Sequence, residues 1–240
     1  VTEPVVLAWS GGKDSARALL ALRQDPRWEV VALLTTVTQD YGRVSMHGIR
    51  RAVVEAQAVE VGLPLEEVPI TAGGDDESYS LAMASALGRL GGRYAGLRTV
   101  AFGDLFLEDV RSWREERLAR AGWRGTFPLW GRNTADLAEE VLALGFRTTV
   151  CCVDTQQLPI GFAGREYDLT LLADLPPGVD PCAERGEFHT CVHAGPIFRR
   201  PLLLTKGEVV LRDGRFGFCD LFLADGPEAG GREQGGDISF

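Results

Sequence analysis

The sequence predicts an α/β protein built on a parallel sheet with a smaller C-terminal α+β unit, and three observations carry that prediction. Apolar runs of strand length alternate with segments of helical spacing through the first half of the chain. The first apolar run feeds straight into a Gly-Gly turn followed by a helix. Beyond Pro176-Pro177 the pattern changes to short strands separated by turn residues.

Taken in order, Val5-Val6-Leu7-Ala8-Trp9 reads as a buried strand, and Ala16, Leu19, Leu20 and Leu22 then fall at helical spacing. A second strand is expected over 30–37. Ile49, Ala52, Val53 and Ala56 mark a helix ended by Gly62 and Pro64, and 65–70 gives a third strand. A helix over 78–90 is expected to stop at Gly91-Gly92, and a short strand over 99–102 to end at Gly103-Asp104. Val110, Trp113, Arg117 and Leu118 share one side of the next helix, with Gly122 after it. Leu137, Val141 and Leu142 give a further helix capped by Gly145, and 146–153 a further strand. Residues 180–193 read as a polar, glycine-containing loop. Three strands over 202–205, 209–212 and 216–223 form a meander with turns at Lys206-Gly207 and Asp213-Gly214. A domain boundary is placed near Gly131, giving units over 1–131 and 132–225, and the Gly-rich, charged end over 226–240 reads as a disordered tail. No internal repeat is visible.

The bulk numbers exclude several classes. With 45% hydrophobic and 25% charged residues in 240, the chain has an ordinary globular composition. No stretch approaches the roughly 20 apolar residues of a membrane helix, and no basic segment followed by an apolar one opens the chain, so a cytoplasmic location is expected. The five cysteines form no CxxC pair and read as free buried thiols. A net charge of -9 offers no general attraction to a polyanion, so extended nucleic-acid binding is not expected.

The chemistry concentrates in Ser10-Gly11-Gly12-Lys13-Asp14-Ser15. A Gly-rich turn between a buried strand and a helix lets backbone N–H groups approach phosphate oxygens, and the helix N-terminus adds positive potential. Lys13 supplies a full charge and Ser10 and Ser15 hydroxyl donors, while Asp14 suits an anion site only by orienting the loop or helping to hold Mg2+. The spacing is not that of a Walker A loop. On a parallel sheet, ligands sit at the carboxyl ends of the strands, where Ser10, Gly103 and Asp104 fall.

The hexapeptide resembles the SGGxDS signature of PP-loop ATP pyrophosphatases. Further blocks narrow the resemblance to the diphthine-ammonia ligase family and its relatives of uncertain substrate: His47 ahead of Gln57-Ala58; Phe102-Gly103-Asp104-Leu105-Phe106; Phe127-Pro128-Leu129-Trp130; Asp180-Pro181-Cys182; and Gly186-Glu187-Phe188-His189-Thr190. The resemblance covers the chain to about Leu223 and implies a HUP-like (adenine nucleotide alpha hydrolase-like) ATP-binding domain with a substrate-side domain after it. It implies ATP and Mg2+ as cofactors, with Ser10, Gly11, Gly12, Lys13, Asp14, Ser15 and Gly103 holding the nucleotide and Asp14 the metal. Lys13, Asp14, Asp104 and Glu187 become catalytic candidates, and His47, Asp104, Glu184, Glu187 and His189 substrate-binding ones. The implied reaction is an AMP- and pyrophosphate-forming amidation of a carboxylate by ammonia, the carboxylate being that of diphthine on elongation factor 2 or of a small metabolite. A homodimer is compatible with this reading.

The chain departs from the family in one place. Those ligases resemble Glu-Gly-Gly-Glu-[Tyr/Phe]-Glu-Thr where this chain reads Glu184-Arg185-Gly186-Glu187-Phe188-His189-Thr190, so a histidine replaces an acid beside the acceptor. Plainer readings stand beside these roles. Asp104 also suits an N-cap for the next helix, His47 a helix start, and Trp130 with Pro128 a piece of core; Glu108, Asp109 and Arg111 suit a solvated helix face. Cys182, His189, Cys191 and His193 match no common zinc spacing. A tRNA-modifying PP-loop enzyme would call for a basic domain or cysteines near the loop, and the sequence has neither. A nucleotide-binding module without turnover remains as the non-enzymatic alternative.

Overall fold

A computed structural model of the chain describes residues 2–224; the tail expected over 226–240 lies outside the described residues. Five parallel strands form the first sheet: β1 (Glu3–Ala8), β2 (Trp28–Thr38), β4 (Leu65–Ile70), β5 (Thr99–Ala101) and β6 (Arg124–Thr126). Their pairings give the order β4-β2-β1-β5-β6, and β3 (Arg43–Val44) joins antiparallel to the end of β2. Helices α1 (Lys13–Gln24), α2 (Arg51–Val61), α3 (Asp76–Arg93) and α4 (Glu108–Arg120) connect them.

Because side chains alternate across a strand, β1 sends Val5 and Leu7 to one face and Val6 to the other. Val5 and Leu7 meet Ala16, Leu19 and Leu22 of α1 and Val53, Val54 and Ala58 of α2. Val6 meets Ala86, Leu87 and Leu90 of α3, with Leu118 and Trp123. All three β1 side chains are 0% exposed, as a strand covered on both faces requires. Each such burial contributes about 1.5–3 kcal/mol.

The expected strands and helices of this half are present, with one boundary corrected. Gly91 and Gly92 do not stop α3, which runs to Arg93. A Cβ on Gly91 would stand 2.7 Å from Arg98 Nη1 and 3.3 Å from Trp123, so this glycine serves close packing. Gly62, at φ +77°, does end α2, its N–H donating to the Ala58 carbonyl.

After α5 (Thr134–Ala143), four antiparallel strands form the second sheet: β7 (Arg147–Asp154), β8 (Phe188–Ala194), β9 (Leu204–Arg212) and β10 (Phe216–Leu223), in the order β8-β7-β10-β9. Two expectations fail here. The segment expected as a loop to His193 becomes strand from Phe188, because Phe188, Thr190 and Val192 are buried while His189 and His193 are half-buried on the other side. No turn forms at Lys206-Gly207: both lie within β9, and Gly207 leaves room for Phe222, whose ring would be 2.8 Å from an added Cβ. The turn at Asp213-Gly214 forms, both residues having positive φ (50° and 61°) as a tight hairpin needs. The short α6 (Leu169–Asp174), capped by the Asp168 carboxylate, precedes the 180–187 loop.

The two sheets share one core. Leu137, Ala138 and Val141 of α5 lie in the cluster that runs from Val5 and Leu19 to Val150, Phe188, Cys191 and Leu221. That continuity sets β8 beside the loop at the head of α1.

Candidate nucleotide and acceptor site

Strand order reverses between β1 and β5, so the crevice at their carboxyl ends is the position where open α/β sheets bind ligands. Ser10 to Ser15 leave β1 there, and Gly103 and Asp104 leave β5. A Cβ on Gly103 would stand 2.9 Å from the Asp14 carbonyl carbon and 3.1 Å from the Ser15 nitrogen, so the β5 turn lies flat on the first peptides of α1. Gly11 has φ +79°, and a Cβ on it would meet Gln57 Oε1 at 2.8 Å.

The second sheet and α2 hold the loop in place. Val192 N donates to the Gly11 carbonyl at 2.8 Å, and Lys13 N donates to Thr190 Oγ1 at 3.1 Å. Gln57, 0% exposed, donates to the Gly11 and Val192 carbonyls (3.0 and 2.6 Å) and accepts from Trp9 Nε1 at 3.0 Å. Gly12 N donates to Ser10 Oγ at 3.3 Å, and Ser15 Oγ donates to the Gly12 carbonyl at 2.9 Å. Two amides that open α1 are thus met by the hydroxyls of Ser10 and Thr190, groups that a phosphate oxygen can displace by a side-chain rotation. Neither Gln57 nor Thr190 is given a role by the sequence reading. Gln57 carries a legible signal, an amide on the apolar face of α2 among Val53, Val54, Ala58 and Val61; Thr190 carries none.

Lys13 is 2% exposed, with its ammonium 2.9 Å from Asp14 Oδ2, donating to the Cys182 carbonyl and standing 5.6 Å above the Tyr167 ring. Burial pulls its pKa down, but the charge of Asp14, with Cys182 and Tyr167 behind it, raises it above the ordinary range. It is therefore a permanent cation. The Asp14 carboxyl is raised as well: burial lifts it, Lys13 opposes, and Asp180 adds to the rise. Its Oδ1 is buried with no hydrogen-bond partner. A buried carboxylate oxygen without a partner is the donor a hard divalent cation uses, so Asp14 fits Mg2+. Among the described residues no group of three or more His, Cys, Asp or Glu could hold a metal by itself.

Glu184 stands at the β5 side of the crevice. Its Oε1 accepts from Leu105 N at 2.7 Å and Phe106 N at 3.4 Å. Burial pushes its carboxyl up to about 7, opposed by the Leu105 amide and aided by the charges of Asp14 and Asp104. Asp104 makes a two-point pair with Arg114 of α4 (2.6 and 3.2 Å), whose guanidinium lies 4.4 Å over the Phe102 ring. It does not cap α4, since the N-cap there is Leu107 with no side-chain bond. Glu187, 1% exposed, accepts from Asp180 N and Arg185 N at 3.0 Å each. Both its oxygens close the 180–187 loop, so it braces that loop and does not reach into the crevice as a catalytic acid.

His47 and His189 form a pair at the Gly12 end, ring centroids 4.3 Å apart, with His47 Nε2 at 3.4 Å from the position of a Gly12 Cβ. Burial, His189 and Lys13 hold His47 well below its usual pKa; burial and Lys13 push His189 down to about 4. Both are neutral at pH 7. Cys182, Cys191 and His193 turn elsewhere: to the Thr134 carbonyl, to Gln57 and to Glu166. Burial pushes the Cys182 and Cys191 thiols up to about 12, which leaves them unreactive. Glu108 and Asp109 are exposed, while Arg111 covers the rings of Phe127 and half-buried Trp130 at 4.9 and 4.7 Å.

Comparison with known proteins identifies the family. The Diphthamide synthase N-terminal domain family matches residues 3–124, and the Diphthamide synthase C-terminal domain family matches residues 133–223. No curated protein matches the chain. Among solved structures, the chain is similar to one described as a predicted subunit of a tRNA methyltransferase from Methanocaldococcus jannaschii, at 15% identity, over 80% of this chain and 98% of that one, with a TM-score of 0.42. With both family domains matched in order over nearly all the described residues, the chain belongs to the diphthamide synthase family.

Proposed function

We propose that the protein is an ATP-dependent ligase that forms AMP and pyrophosphate by adenylylating a substrate carboxylate and then amidating it with ammonia, in the manner of a diphthine-ammonia ligase. The observation that carries this reading is the pairing of a buried, permanently charged Lys13 with an Asp14 oxygen left without a partner, at the switch point of a parallel sheet. Lys13 and the loop amides neutralise charge on the departing pyrophosphate, and Asp14 would hold Mg2+, which would supply Lewis-acid stabilisation there. Gly11, Gly12 and Gly103 let the two turns pack against Gln57, Thr190 and the Asp14–Ser15 peptide, which fixes where the loop amides stand.

Attack by a carboxylate oxygen on the α-phosphorus breaks the bond to the β-phosphate. Ammonia then forms the C–N bond at the acyl carbon as AMP leaves, and its proton passes to Glu184, half ionised near neutral pH. Glu187 and Asp104 support this from behind, one holding the 180–187 loop and the other tying the β5 turn to α4.

The acceptor is diphthine on elongation factor 2 or a small carboxylic acid. The neutral His47–His189 pair favours testing the second, because it offers no negative charge to a cationic acceptor. Exchange of labelled pyrophosphate into ATP, in the absence of ammonia, is the test. Exchange that depends on an acceptor from either class supports the reading; nucleotide binding without exchange on any of them returns the chain to a binding module.

A further inference from the structure

Among the described residues β9 is the end strand of the second sheet, and three consecutive apolar residues on it are exposed: Val209 (43%), Val210 (39%) and Leu211 (48%). An apolar, unpaired edge is a template for another strand, and proteins that leave one free blunt it with charge, proline or a bulge. The segment Glu208-Val209-Val210-Leu211-Arg212 has no proline, and its two charges stand at its ends. Neither side chain has an ion-pair partner among the described residues, and four residues of strand, about 13 Å, keep them from each other. Lys206, the nearest other charge on β9, is drawn away to Glu166 at 2.7 Å.

The segment is complementary to itself when antiparallel. With Val210 opposite Val210 of a second copy, Glu208 faces Arg212 twice and Val209 faces Leu211 twice. Every charge then meets its opposite and every apolar side chain an apolar one, whereas a register centred one residue earlier sets Lys206 against Arg212. Cross-strand pairs of this kind are the unit of sheet stabilisation. On β9 the register shift falls at Gly207-Glu208, between the pairs Val209–Cys219 and Lys206–Leu221, so regular pairing runs from Val209 to Arg212 with Glu208 at its margin.

We infer that β9 is a homodimer interface, at which two copies pair their 208–212 segments antiparallel about a two-fold axis through Val210, joining two four-stranded sheets into one of eight. This surface is remote in the sheet order from β8, which touches the loop, so its failure and that of the proposed activity are separable.

The test is sedimentation of the full chain with two charge reversals. The unaltered protein sediments as a dimer. Glu208→Arg and Arg212→Glu each place like charges opposite one another twice and weaken association at least about tenfold, to monomer in the micromolar range. An equimolar mixture of the two variants restores both pairs and forms a heterodimer. Thermal melts of each variant check that the fold is kept. A monomeric unaltered protein, a dimer indifferent to both reversals, or a mixture that stays monomeric overturns the inference.

Discussion

Lys13 and Glu184 carry opposite lessons about charge at the site. Lys13 is buried yet charged because Asp14 lies 2.9 Å away; Glu184 is half-buried with only main-chain donors, and its proton is held to about 7. Replacing Lys13 by Met, which keeps the volume, is expected to cut pyrophosphate release by at least about 100-fold while circular dichroism remains that of the folded protein. Glu184 has a pH consequence. Its folded pKa is raised above the ordinary 4.5, so the folded form binds the extra proton between about 4.5 and about 7, and a stability penalty grows across that window as pH rises. Activity that uses the carboxylate as base rises as pH passes through about 7. Glu184→Gln is expected to lower the rate about 100-fold or more, to flatten its pH profile near 7 and to leave melting at pH 8 unchanged or higher. A Gln variant with an unaltered pH profile would remove Glu184 from the proton path. Lys13, Asp14 and Glu184 are singled out by the sequence, and the structure brings them to one crevice. The backbone role of Glu187 is not legible in the sequence, because it depends on a loop folding back over seven residues onto Asp180 N.

At the scale of elements, the loop itself is the most legible feature, since strand, glycines and helix are adjacent in sequence and their spacing is local. What holds it is remote. Thr190 reaches Lys13 N across 177 positions, and Gln57 reaches Val192 across 135. Gln57→Leu keeps the bulk but strands the Trp9 indole N–H and removes a donor from the Gly11 and Val192 carbonyls. A loss of about 2–4 kcal/mol in a denaturant melt is expected, with weaker ATP binding. Gly103→Ala drives a methyl into the Asp14–Ser15 peptide at 2.9 Å and is expected to cost about 1–3 kcal/mol and most of the activity. β8 escapes the sequence reading because His189, Thr190 and His193 look like a polar loop, although Thr190 is 3% exposed and both histidines line a face of the sheet. Gly207 misleads in the same way, as a glycine whose purpose is an aromatic neighbour.

Over the whole molecule, the parallel half is readable from its alternation, while the second sheet acts on the first through a common core that no local pattern reveals. Its hairpin end is fixed by charge. Asp154, 2% exposed, accepts from Arg215 at 2.6 and 3.0 Å, which holds its carboxyl well below the usual range; at Asp220 burial is overcome by Arg43 and Arg50. Both folded pKa values are depressed, so the stability they give is present above the ordinary carboxylate value near 4 and is lost as pH falls below it. Arg215→Met is expected to lower the melting temperature at pH 7 and to shrink its acid slope. These losses bear on the fold and leave the assignment of chemistry to the loop untouched. That assignment is tested most directly by the products of ATP. Phosphorus magnetic resonance of the protein with ATP, Mg2+, ammonium and an active acceptor is expected to show AMP and pyrophosphate rising together, with neither formed by the Lys13→Met variant; ADP and inorganic phosphate as the products would contradict the account.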